Sequence, residues 1–136
     1  MSVPHITIKY GIRTDDPYAV QKALEGVKPV KATIGKINVF DTNPEYDVVY
    51  LEIESADLRW LNKIIAAATE VTDTQPSYKP HLTLAYVKKG LGKKYVGMVT
   101  ELTGLQLEFG YILFSSRNGS ETEILLSEIV HRDEWQ

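Results

Sequence analysis

The sequence predicts a single α+β domain made of two pseudo-symmetric antiparallel-sheet lobes. Three observations point there. The chain has 136 residues, 43% of them hydrophobic and 24% charged, the size and composition of one compact domain that buries roughly two-thirds of its unfolded surface. A strand–helix–strand–strand order is readable twice, over residues 1–72 and 77–136. A segment, His5-Ile6-Thr7-Ile8-Lys9-Tyr10, returns 76 residues later as His81-Leu82-Thr83-Leu84-Ala85-Tyr86, each copy preceded by proline. Two copies are too few for a solenoid and fit two related lobes of one domain.

The elements follow in order. Residues 3–12 alternate Ile6, Ile8 and Tyr10 with His5, Thr7 and Lys9, the period of a strand. Asp15 and Asp16 offer an N-cap with Pro17 at the first helical position, and a short helix carries Val20, Ala23, Leu24 and Val27 on one side. Gly26 and Pro29 end it. Residues 32–41 and 46–53 read as strands joined by the turn Thr42-Asn43-Pro44-Glu45. Ser55 caps a stronger helix to about residue 70, with Leu58, Leu61, Ile64, Ile65 and Ala68 at core spacing. A polar link over 72–77 leads to a strand over 78–87, a basic loop over 88–94 and a short helix over 95–102. Strands over 105–116 and 121–130 finish the chain, joined by the hairpin turn Arg117-Asn118-Gly119-Ser120. The tail beyond His131 is polar and expected to fray, although Trp135 is able to pack back.

Composition excludes several chemistries. There is no cysteine, hence no disulfide framework, thiol nucleophile, iron–sulfur cluster or thiolate zinc site. The formal net charge of −3 disfavours binding along a long nucleic-acid duplex. No secretory signal is visible in the first ten residues, and no apolar run is long enough to span a bilayer. The expectation is a cytoplasmic protein with a small nucleotide or short RNA as its partner and no membrane contact.

The repeat carries the chemistry. Residues two apart on a strand share a face, so His5 projects with Thr7, and His81 with Thr83, while Ile6, Ile8, Leu82 and Leu84 point into the lobe cores. A pseudo-twofold axis brings two imidazoles and two hydroxyls around one cleft. Imidazole titrates near about 6.5, so one histidine can act as general base and the other as general acid. In-line displacement at phosphorus needs that pair, with hydroxyl donors for the non-bridging oxygens. Nothing in the arrangement demands a metal.

Pro-His-Ile-Thr-Ile (4–8) and Pro-His-Leu-Thr-Leu (80–84) resemble the two signature His-x-Thr motifs of the 2H phosphoesterases. That superfamily includes LigT-like RNA 2′,3′-cyclic phosphodiesterases and 2′-5′ RNA ligase-like proteins. The resemblance covers the whole chain, in motif spacing and in element order. It implies a bilobal α+β fold with helices outside and a central cleft, His5 and His81 as the acid/base pair, and Thr7 and Thr83 as phosphate ligands. Metal and cofactor are not required. The short chain and the His-x-Thr-x-x-Tyr-Gly run at 5–11 further resemble compact bacterial and phage members, including phage anti-CBASS enzymes that destroy cyclic oligonucleotide signals. The expected function is cleavage of phosphodiester bonds in cyclic or short oligonucleotides. The alternatives are RNA 2′,3′-cyclic phosphate or 2′-5′ end processing, and a non-catalytic nucleotide-binding protein that kept the fold.

Blander readings compete at each position. Two of the three histidines carry a threonine two residues on in matched contexts, which separates them from core histidines; His131 lacks that context and has no role. No His-x-His, His-Glu-x-x-His or Gly-x-Ser-x-Gly pattern occurs. Tyr10 and Tyr86 lie an odd number of residues from the histidines, so a regular strand turns them to the core and only a bulge turns them to a ligand. They are candidate substrate-binding residues on that condition. Lys9 and Lys79 have the parity to join the active face, and Lys79 is a candidate phosphate ligand; the rival for both is a solvated strand-end lysine. The 88–94 loop carries four lysines and two glycines without a Walker pattern, and a solvated turn is favoured over a polyphosphate lid. Trp60 fits packing at a helix edge.

Overall fold

The computed structural model describes residues 5–9, 12–13, 16–69, 78–116 and 119–126. Two helices, α1 (Tyr18–Ala23) and α2 (Ala56–Ala68), accompany six strands: β1 (Val30–Phe40), β2 (Tyr46–Glu54), β3 (His81–Lys88), β4 (Gln106–Phe109), β5 (Tyr111–Ser115) and β6 (Glu121–Leu125). A four-stranded antiparallel sheet has the order β3-β2-β1-β4, and β5 pairs with β6 in a second sheet. This is the α+β, two-sheet architecture expected. The sheets do not follow the sequence halves, however. β3 and β4 come from the second half and flank β1 and β2 of the first.

One face of the large sheet makes the core. Ala32, Ile34, Ile37, Val49, Leu51 and Ile53 meet Val20 and Leu24 of α1 and Leu58, Leu61 and Ile65 of α2, and Phe114, Ile124 and Leu126 join the same cluster. Leu51 and Leu61 are fully buried; truncating such a side chain to alanine costs about 2–5 kcal/mol. Ile6, Ile8 and Leu82 pack against the cluster as expected.

Local chemistry sets the ends of the elements. The Asp16 Oδ1 accepts the Tyr18 N–H at 3.0 Å, and the Pro17 carbonyl accepts Gln21 N–H at 2.8 Å. The Ser55 Oγ accepts the Leu58 N–H at 3.0 Å and donates to the Lys31 carbonyl at 2.5 Å, while Asp57 accepts the Lys31 N–H at 3.0 Å. One cap thus starts α2 and binds it to the head of β1, a contribution of about 1 kcal/mol for the cap alone. Asn43 Oδ1 accepts the N–H groups of Glu45 and Tyr46 and closes the β1–β2 turn.

Several expectations are corrected. β1 begins two residues earlier than expected, and β3 starts at His81 rather than residue 78. Over residues 5–9, in place of a regular strand, there is one antiparallel bridge, Ile6 to Leu82. The helix over 95–102 is absent; a 3-10 turn, Lys93–Tyr95, is followed by turns, and Gly97 has φ +81°. That segment instead serves the open edge of β1. The Ile37 N–H donates to Met98 O, the Gly97 N–H to Ile37 O and the Gly104 N–H to Ile34 O, satisfying backbone groups that a helix would leave unpaired. The strand over 105–116 breaks at Gly110, where β4 leaves the large sheet and β5 enters the small one. Ala68 is exposed because α2 ends there. Trp60 stands half-exposed. Gly119, at φ +90°, turns the last hairpin with its N–H on Ser116 O; Arg117, Asn118, the chain beyond 126 with His131 and Trp135, and the 72–77 link lie outside the described residues. No helix among the described residues is long and apolar enough to cross a membrane.

Candidate active site

The two His-x-Thr segments meet at the outer edge of β3. Ile6 lies antiparallel and opposite Leu82. An antiparallel register extended by one residue from that bridge would set His5 across from Thr83 and Thr7 across from His81. Ile6, Ile8 and Leu82 go to the core side, so alternation turns the four motif residues to the opposite face. His5 and His81 each lie one residue from this bridge.

His81 is held on three sides. Its Nδ1 lies 2.9 Å from the Lys79 carbonyl; a carbonyl only accepts, so Nδ1 carries the hydrogen and Nε2 is left for proton transfer. The Phe40 ring stacks on Tyr50 at 4.1 Å, and both meet the imidazole edge-on at 5.0 and 5.3 Å. Lys79 thus contributes its backbone, and its side chain is exposed. Burial, then the nearby Glu52 charge, pushes the Tyr50 phenol above its ordinary pKa, so it stays protonated in neutral solution. Glu52 faces His81 across the β2–β3 ladder and accepts from Asn38 Nδ2 at 3.3 Å.

The first motif is held differently. The Tyr78 hydroxyl donates to Thr7 O at 2.8 Å, and the Asn62 amide, from α2, donates to Ile8 O at 2.7 Å. Arg59 supports Tyr78 through the Tyr78 carbonyl at 3.2 Å. Burial raises the Tyr78 pKa far above the ordinary phenol value, so its hydroxyl remains a donor.

Two bulges shape the face. Opposite Glu52, β1 spends two residues, Gly35 and Lys36, where β2 spends one; a side chain at Gly35 would approach Glu52 Cβ and its carbonyl at 3.2 Å. In β3 the register shifts between Thr83, opposite Tyr50, and Ala85, opposite Val49. Leu84 is the extra residue and stands 47% exposed, against the expectation that it enters the core. Beyond it the parity flips. Val87 packs on the core, and Tyr86, opposite Val48, joins the face of His81 and Thr83. Its ring meets Tyr46 edge-on at 5.3 Å. Tyr10 lies outside the described residues.

The basic loop has its own anion. Asp47, 1% exposed, accepts the N–H groups of Gly90 and Gly92 at 2.9 and 3.0 Å and pairs with Lys89 at 3.5 Å. Lys89 also donates to the Asp41 carbonyl. Hydrogen bonding from Gly92 leads the causes that hold the Asp47 carboxyl below its ordinary pKa. A side chain at Gly92 would meet Asp47 Cβ at 2.9 Å. The glycine N–H groups that a phosphate cradle would use are therefore committed to a carboxylate inside the protein.

Sequence reasoning did not single out Phe40, Tyr50, Asn62 or Tyr78. Their roles depend on which strand lies beside which, and no motif carries that. Among the described residues no group of three or more His, Asp or Glu side chains is placed to hold a metal ion. An open groove among Lys31, Ser55, Asp57, Gln106 and Glu108 contains none of the motif residues. The family model of the 2′-5′ RNA ligase superfamily matches residues 2–99, a span that includes both His-x-Thr segments. No curated protein matches the chain.

Proposed function

The chain belongs to the 2′-5′ RNA ligase superfamily, within the 2H phosphoesterases, and from that premise we propose that it is a metal-independent phosphodiesterase of small nucleotides. One observation supports this reading: the Ile6–Leu82 bridge, which lays the two His-x-Thr segments side by side. Superfamily membership supports a phosphoesterase-type enzyme acting on a nucleotide or RNA. The finer statement concerns which residues act and on what.

A phosphodiester enters between the two histidines, its non-bridging oxygens accepting hydrogen bonds from the Thr7 and Thr83 hydroxyls. One imidazole removes the proton from the attacking oxygen, a ribose 2′-hydroxyl or a water. The new P–O bond forms as the opposite one breaks, and the other imidazole protonates the departing oxygen. His81 enters this exchange through Nε2, since Nδ1 is tied to Lys79 O. The substrate class proposed is a cyclic or short oligonucleotide in the cytoplasm. The His-x-Thr-x-x-Tyr-Gly run at 5–11 supports a phage counter-defence role. A second reading, processing of RNA 2′,3′-cyclic phosphate or 2′-5′ ends, draws support from the description of the matched family.

The test is turnover in EDTA of cyclic di- and trinucleotides, a 2′,3′-cyclic mononucleotide and a 2′-5′ oligoadenylate, by wild type, His5→Ala and His81→Ala. The proposal expects one class to be cleaved and the activity to vanish in both variants. Ligand binding without turnover indicates the non-catalytic alternative, and activity restored only by a divalent ion overturns the metal-free mechanism.

A further inference from the structure

Tyr86 is a large aromatic side chain left 66% exposed on the face that carries His81 and Thr83. It reaches that face only because Leu84 is inserted into β3 as an extra residue. Without the insertion, alternation would place Tyr86 on the core side. Tyr46, across β2, meets its ring edge-on at 5.3 Å and limits how the ring turns. The pair makes a fixed aromatic shelf on the site face. Thr83 and Tyr86 lie opposite Tyr50 and Val48, two strand steps or about 7 Å apart, so a sugar separates a phosphate at the threonine from a base on the tyrosine. Lys88, opposite Tyr46, is the next residue along that face.

We propose that Tyr86, backed by Tyr46, is a base-stacking subsite for the nucleoside flanking the phosphate held at the His/Thr quartet, with Lys88 meeting the following phosphate. The inference rests on the proposed phosphodiester site and deepens it: the site takes an oligonucleotide rather than an isolated phosphate ester. Stacking on an aromatic ring accepts every base, so the subsite selects for a neighbouring nucleotide and not for its identity.

Binding is measured in the full chain carrying His81→Ala, so that turnover does not intervene. The probes are a 2′-5′-linked triadenylate and ribose 5-phosphate, with position 86 as Tyr, Phe, Trp or Ala. Tyr86→Ala weakens triadenylate binding by about 5- to 150-fold, the loss of one base-stacking contact, and leaves ribose 5-phosphate unchanged. Phe and Trp retain triadenylate binding. Equal triadenylate affinity in Tyr86→Ala, equal loss for both probes, or no saturable triadenylate binding at any of the four overturns the subsite. Wild-type turnover is scored separately: its absence sinks the catalytic reading, while a stacking effect in the binding series stands without it.

Discussion

The two His-x-Thr segments are near-copies in sequence but are held in place by different means. His81 and Thr83 sit in β3, laddered to β2 from Glu52 to Tyr46, and the imidazole is locked by Lys79 O and two rings. Around His5 and Thr7 the described contacts include an isolated bridge and two side chains that reach in, Tyr78 and Asn62. The contrast teaches that equal chemistry does not need equal scaffolding. A ladder positions a strand through repeated backbone pairing, whereas the first segment also draws on side chains from outside the sheet, Tyr78 and Asn62.

The largest effect should ignore the contrast. If both imidazoles act in one proton exchange, His5→Ala and His81→Ala each lower kcat by about 10²- to 10⁴-fold, whatever holds them. A loss confined to one variant would break the equivalence of the two segments. The next effect should expose it. Tyr78→Phe and Asn62→Ala each remove one hydrogen bond from the first segment, worth about 1 kcal/mol. Each should lower kcat about fivefold with little change in KM, and Tyr78→Phe keeps the buried ring. Neither variant should alter the β3 ladder, which amide hydrogen exchange at Leu82 and Thr83 reads directly. Slowed catalysis together with loosened β3 amides would mean a general loss of structure rather than of positioning.

The smallest effect concerns the far end of β2–β3. The Asp47 pKa lies below its ordinary 3.8, so its charged form stabilises the fold fully above that value. The contribution is lost as pH falls through the lowered folded-state pKa. Asp47→Asn should therefore reduce Tm at neutrality and narrow the gap to wild type only below about pH 4. A gap already closing near pH 6 would show that the carboxylate is not the loop's anchor.

Much of this was readable from residue order. The quartet was legible because a 76-residue repeat in both spacing and flanking residues is improbable without a shared purpose, and Ser55, Leu58, Leu61 and Ile65 marked α2 through cap and period. What stayed hidden depends on partners distant in sequence. Leu84 looks like another core residue of an alternating strand until β2 sets a register that excludes it, and that one insertion reverses the facing of Tyr86. Residues 95–102 have helix-compatible composition, yet the open backbone of β1 at Ile34 and Ile37 draws the 97–105 stretch into pairing. Phe40 and Tyr50 carry no signal of their own; they matter because β1, β2 and β3 lie side by side.

The most direct test of a single site shared by both segments is an NMR titration of the His5 and His81 side chains with adenosine 2′-monophosphate. The His5 and His81 resonances should shift together along one saturation curve. Shifts that follow two different curves, or that reach only one of the pair, would contradict the account.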